Sequence, residues 1–157
     1  EDSLRLVVRG DINQWNQLLS ETARKAGVIT NEEFAIFQNA GYMGLYGGMT
    51  VDEIHQKKGL AVCQKILDYM GSTELAANLF RISQTDEKLR KDKVSDANTA
   101  TAVHHAVGKE VREAIEKIGG TMPEDLPTPA KSIAQIEKEQ LEILKCKAKR
   151  GQLLLDE

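Results

Sequence analysis

A short polar residue followed three positions later by Glu or Gln can cap a helix start from both sides, and this pattern recurs along the chain at Asp11–Gln14, Thr30–Glu33, Thr50–Glu53 and Thr121–Glu124. Stops alternate with these starts. Gly27 follows Arg24 and Lys25, cations placed where the dipole of a last helical turn favours them, and Gly41, Gly59 and the Gly119–Gly120 pair come after further apolar stretches. A chain punctuated this often has little choice but to fold as a set of short and medium helices.

The apolar residues between the marks keep helical spacing. Ile12, Trp15, Leu19, Thr22 and Ala26 share one face, and Phe34 and Phe37 lie on the next segment. "AVCQKILDYMG" reads as a short apolar helix. Ser72 is placed as the cap of "STELAANLFRISQTDEKLRKD", whose stripe is Leu75, Leu79, Ile82 and Leu89. The clearest helix carries Ala100, Val103, Val107, Val111, Ala114 and Ile118 at steps of three and four. Thr128, with Pro129 behind it, is expected to cap a last helix running through Ile133, Ile136, Leu141 and Leu144 to Gly151. With aromatic residues at only 4% and Leu, Ile, Val and Ala supplying most of the 41% hydrophobic content, helices are favoured over sheets. The expected fold is all-α: one compact domain over residues 1–157, of about seven helices, the C-terminal ones long. Residues 1–10, with "SLRLVVRG", stand open between a flexible lead-in, a strand and a helix start. The absence of an initial methionine is read as a sign of an upstream part of a longer protein.

Several function classes lose ground on composition. A formal charge of −3 argues against a chain that coats nucleic acid through its overall charge. Cys63 and Cys146 lie far apart in sequence with no metal-ligand spacing around them, so neither a disulfide framework nor a zinc site is signalled, and a reducing, cytoplasmic setting is expected. No apolar run approaches the roughly 18 residues of a membrane span. The glycine-rich stretch "NAGYMGLYGGMTVDE" lacks the Gly-Lys-Ser/Thr or Gly-x-Gly-x-x-Gly order of a phosphate loop, and is read as a connector whose glycines supply φ > 0 while Tyr42, Leu45 and Tyr46 turn to the core. His104 and His105 diverge by about 100° on a helix and have no ligand three or four residues on, so no metal pair forms. No cofactor and no catalytic residue is called for.

Contact surfaces are better candidates. "TVDEIHQKKGLAVCQKILDYM" has the length of a helix-turn-helix, in which Gln64 and Lys65 would read bases, although His55 and Lys58 sit where small and apolar residues belong. "KCKAKR" offers Lys145, Lys147, Lys149 and Arg150 as a local basic patch for DNA. A face of mixed sign, His105, Lys109 and Arg112 beside Glu113 and Glu116, suits a protein partner better than a phosphate backbone, and Arg81 is joined to it as an anchor.

The runs "GLYGGMTVDEIHQKKGL", "MGSTELAANLFRISQTDEKL" and above all "HHAVGKEVREAIEKIGGTMPEDLPTPAKSI" resemble the C-terminal half of the bacterial DNA-damage-inducible protein D family, over about Trp15 to Glu137. The order of glycines, prolines and acids between Gly108 and Pro129 is the most specific part. The resemblance implies an upstream domain akin to phage antirepressor and baculovirus repeated-ORF proteins. It also implies a non-enzymatic role in the SOS response, where the family is associated with inhibiting RecA recombinase on single-stranded DNA. No site residue carries over from it. The expectation is a protein-interaction module whose partner is RecA or another repair protein. A DNA-binding or antirepressor module, or a homo-oligomerisation domain using the last two helices, stands as the alternative.

Overall fold

The computed structural model describes residues 1–155 as six α-helices: α1 (Asp2–Lys25), α2 (Asn31–Leu45), α3 (Val51–Lys57), α4 (Ser72–Lys91), α5 (Ala97–Ile118) and α6 (Ile133–Leu155). Single 3-10 turns lie at Ile66–Tyr69 and Pro123–Asp125, and there is no strand among the described residues. The all-α expectation holds. α1 packs along α4, α2 packs along α5, and the α4–α5 hairpin joins the two pairs around a core that includes Ile12, Leu19, Phe37, Leu45, Ile82 and Ala100. Each buried Ile, Leu or Phe side chain among these contributes about 1.5–3 kcal/mol.

Two capping boxes form as the sequence suggests. The Thr30 hydroxyl accepts from the Glu33 amide at 3.1 Å while Glu33 accepts from the Thr30 amide at 3.0 Å, and Thr50 and Glu53 repeat the arrangement at the start of α3. The other two do not form. Asp11 lies in the middle of α1, because the helix begins at Asp2 and not after residue 10. What recruits this opening stretch is Arg5, wholly buried, which donates to the carbonyls of Met70 (2.9 Å), Asp68 (3.2 Å) and Lys131 (2.9 Å). Tertiary hydrogen bonds thus override the weak local preference of "RLVVRG". Thr121–Glu124 is lost because Glu124 is drawn to Arg112.

Three further boundaries differ. α4 starts at Ser72 rather than being capped by it: the Glu1 carboxylate accepts from the Ser72 amide (2.8 Å) and hydroxyl (2.7 Å). α6 starts at Ile133, four residues beyond Pro129, with Ser132 and Gln135 hydrogen-bonded reciprocally. "AVCQKILDYMG" is a turn followed by a 3-10 turn. Val62 is fully exposed there, Ile66 and Met70 reach the core from the 3-10 turn and its end, and Gln64 bonds locally to the Ala61 amide (2.7 Å) and the Tyr69 hydroxyl (2.7 Å). The helix-turn-helix therefore has no second helix.

The glycine-rich stretch divides in two. Gly47 (φ +66°) and Gly48 (φ +97°) are the turn glycines expected of a connector. Gly41 and Gly44 are instead inside α2, which runs past them to Leu45, and they meet Gly108 of α5. A Cβ on Gly108 would lie 2.6 Å from the Gly41 carbonyl, and one on Gly44 would overlap the His105 carbonyl. The absence of side chains lets the two helices touch backbone to backbone.

Candidate protein-interaction surface

That close approach fixes α5 so that its adjacent histidines part company: His104 is buried between α2 and α4, and His105 is exposed. His104 Nδ1 lies 2.8 Å from the Phe37 carbonyl and Nε2 lies 2.6 Å from Arg81 Nη1. A guanidinium can only donate, so Nε2 accepts and Nδ1 carries the proton. The ring is neutral, and burial, reinforced by the Arg81 charge, holds its pKa well below the usual histidine range.

Arg81 is itself completely buried and offers no atom to a docking partner. Its Nη2 donates to Asn78 Oδ1 (3.0 Å), its plane lies 4.5 Å from the centroid of Tyr42, and its Nε has no hydrogen-bond partner. Burial depresses its pKa. The polar chain continues through Asn78 to the Tyr46 hydroxyl (3.1 Å), which donates to Glu74, and Glu74 is paired with Lys58 at 2.8 Å. Burial raises the Glu74 carboxyl, with Lys58 opposing. A buried polar row thus ties α2, α4 and α5 together, and Arg81 belongs to it rather than to a surface.

Arg112 is also engaged inward. It grips Glu124 with two hydrogen bonds (2.8 and 2.7 Å) and donates to the Leu45 carbonyl at 3.1 Å. On the mixed-sign face His105 and Lys109, one turn apart on α5, are exposed, as is Glu116, while Arg112 and Glu113 are half-buried. Lys65 is exposed in the turn after α3, and Lys145, Lys147, Lys149 and Arg150 are exposed on α6, so these basic residues sit on two separate elements.

The surface that the structure builds lies on the outer side of the α4–α5 hairpin. α4 turns Leu75, Ile82 and Leu89, seven residues apart, to the core, which leaves Phe80 pointing out and 53% exposed. Small residues beside it, Ala76 and Ala77 on α4 and Ala114 on α5, leave a groove of about 400 Å³ over Val111 and Ile115. Ile118, 82% exposed, stands at one end, and Pro123 and Leu126 close the wall. The Arg112–Glu124 pair pins that wall to α5, so Arg112 is engaged in holding the groove together. Phe80 and Val111 also border a second hollow whose rim carries Glu87, Lys88, Lys91 and Glu110. An apolar floor with charges of both signs along its edge is the composition of a protein-binding patch.

Spacing alone puts Ala114 and Ile118 in the apolar series of α5 and gives Phe80 no role. The usable signal was phase: Phe80 falls off the Leu75–Ile82–Leu89 repeat, an aromatic residue on the wrong side of its helix. Among the described residues there is no group of three His, Cys, Asp or Glu side chains able to hold a metal ion, and no helix long and apolar enough to cross a membrane.

Comparison with known proteins places this architecture. DNA damage-inducible protein D of Escherichia coli (strain K12) is 56% identical to the chain over 137 residues, which is 87% of this chain and 50% of that protein. The chain thus spans about half the length of the curated relative it matches. No solved structure matches. The family profile for the DinD C-terminal domain matches residues 1–136, that is, all of α1 to α5 and the first turn of α6, and with it the chain belongs to the DinD C-terminal domain family.

Proposed function

We propose that this chain is a non-enzymatic protein-interaction module of a bacterial DNA-damage (SOS) response regulator. The α4–α5 groove takes an apolar segment of RecA recombinase, or of another repair protein, and the module lowers the stability of RecA filaments on single-stranded DNA. The observation that carries this reading is the exposed apolar groove, with Phe80 and Ile118 at its edges and a mixed-charge rim. The relative's name, DNA damage-inducible, supports the setting, and with RecA as its partner the module would act in the cytoplasm. Filament loss requires a RecA surface that the groove binds more tightly when subunits separate than when they are packed, because only differential affinity shifts an equilibrium.

Hydrogen–deuterium exchange of the chain with and without RecA tests the location of the contact. Protection over residues 73–91 and 111–126 is the expected footprint. Protection confined to His105 and Lys109, or none at saturating RecA, overturns it. The exposed cations of α6 support a second reading, contact with DNA phosphates through Lys145, Lys147, Lys149 and Arg150. That reading requires an affinity for bare DNA that falls steeply with salt.

A further inference from the structure

From residue 137 to residue 155, every residue of α6 is exposed. Only the first turn of the helix, through Ile133 and Ile136, is buried. The rest, about 28 Å at 1.5 Å per residue, extends beyond the body, tied back to it by the exposed Lys131–Glu139 ion pair (2.9 Å), and draws little from the tertiary packing that supplies most helix stability in proteins. Its sequence is not that of a solvated rod. Leu141, Leu144, Ala148, Gly151 and Leu155 follow one another at alternate steps of three and four, with Ile143 and Leu154 beside them, and the exposed fractions of Leu141, Leu144 and Leu155 are 53%, 61% and 87%. Alternating three-and-four spacing is the seam of a helix that pairs with another helix. Nothing lies within 4 Å of a Cβ built on Gly151, which leaves room for a partner backbone.

Charge selects the partner. Residues 137–143 carry Glu137, Glu139 and Glu142 against Lys138, a net charge of −2, whereas residues 144–155 carry Lys145, Lys147, Lys149 and Arg150 with no acid, a net charge of +4. A second copy laid alongside in the same direction would set like charge against like. Laid in the opposite direction, it sets the acidic half of each helix against the basic half of the other, twice, about one two-fold axis.

We propose that the projecting part of α6 is a self-association surface, on which two copies of this chain pair through antiparallel α6 helices. The surface begins where the family match ends, at residue 136, and owes nothing to the α4–α5 groove. Helices this short make an interface at the low end of specific ones, which begin at about 1,000–1,200 Å². Association is therefore expected at micromolar, not nanomolar, protein.

Sedimentation equilibrium of the whole chain across that range tests the pairing. The mass should rise from 17.4 kDa toward twice that value as concentration increases, and Leu141→Glu with Leu144→Glu should hold it at 17.4 kDa, with the helical circular dichroism of the body retained. Orientation is read from charge. Glu139→Lys with Glu142→Lys should weaken association at least tenfold, and adding Lys147→Glu, Lys149→Glu and Arg150→Glu to the same chain should restore it, as only opposed helices allow. A mass of 17.4 kDa at every concentration, a dimer indifferent to the two leucine changes, or failure of the five-fold variant to recover overturns the proposal.

Discussion

Arg81 is a cation placed in the interior with a neutral histidine and an amide oxygen for company, and no carboxylate bonded to it. Its Nη1 and Nη2 protons are accepted by His104 and Asn78 and its charge meets the Tyr42 ring, which offsets part of the burial cost, while the Nε proton stays without a partner. This arrangement makes stability depend on pH. In the unfolded chain His104 takes up a proton near its ordinary value of 6.5, whereas in the folded chain burial and Arg81 keep it neutral far below that. The unfolded state thus binds more protons as pH falls through 6.5, and stability should decline below that pH at up to about 1.4 kcal/mol per unit. Glu74 works in the opposite sense: with its carboxyl raised in the folded state, the folded chain holds the proton longer, so its contribution to stability is present below 4.5 and is lost as pH rises above that. Urea midpoints between pH 7.5 and 5.5 should therefore fall less steeply in His104→Gln than in the wild type, whatever the variant's absolute stability. Arg112→Ala should cost about 1–3 kcal/mol through the lost Glu124 and Leu45 bonds, a change the same urea titration would read. Both residues drew notice in the sequence as charged or titratable groups. What could not be read was which way they point, because the letters flanking His104 and His105 are alike and only the packing of α5 on α2 decides that the first goes in.

At the scale of elements, the seam between α2 and α5 is held open for contact by Gly41, Gly44 and Gly108. Gly44→Ala and Gly108→Ala each force a methyl into backbone and should destabilise the fold by at least the 1–3 kcal/mol typical of overpacking. Gly10→Ala supplies the contrast. Gly10 is also inside a helix, α1, but nothing lies within 4 Å of a Cβ there, so the substitution should stabilise by about 0.5–1 kcal/mol. Thermal unfolding of the three variants checks both signs. The same pair of cases explains what was legible. Capping boxes are local chemistry, and those at Thr30 and Thr50 were read correctly. A glycine inside a helix looks like a break until the helix it touches is known, so α2 was cut short at Gly41. The start of α1 was likewise hidden because its support, the carbonyls of Asp68, Met70 and Lys131 around Arg5, comes from residues more than sixty positions away.

For the whole molecule, the helical class followed from composition and punctuation, and the family from the order of residues around Gly108 to Pro129. The proposed interaction surface did not follow. His105, Lys109 and Arg112 were joined by helical phase on α5 alone, but Arg112 is spoken for by Glu124 in the loop beyond, and the groove is made jointly by α4, α5 and that loop. A surface shared by three segments leaves only a weak trace in any one of them, here the off-phase Phe80. The direct test is a titration of wild-type and Phe80→Asp chains against RecA filaments on single-stranded DNA, with free RecA and bare DNA in parallel. The expected result is binding that requires RecA, changes little between low and moderate salt, and weakens at least tenfold in Phe80→Asp, about 1.4 kcal/mol or more. Binding to bare DNA without RecA, or a Phe80→Asp chain that binds as well as the wild type, would contradict it.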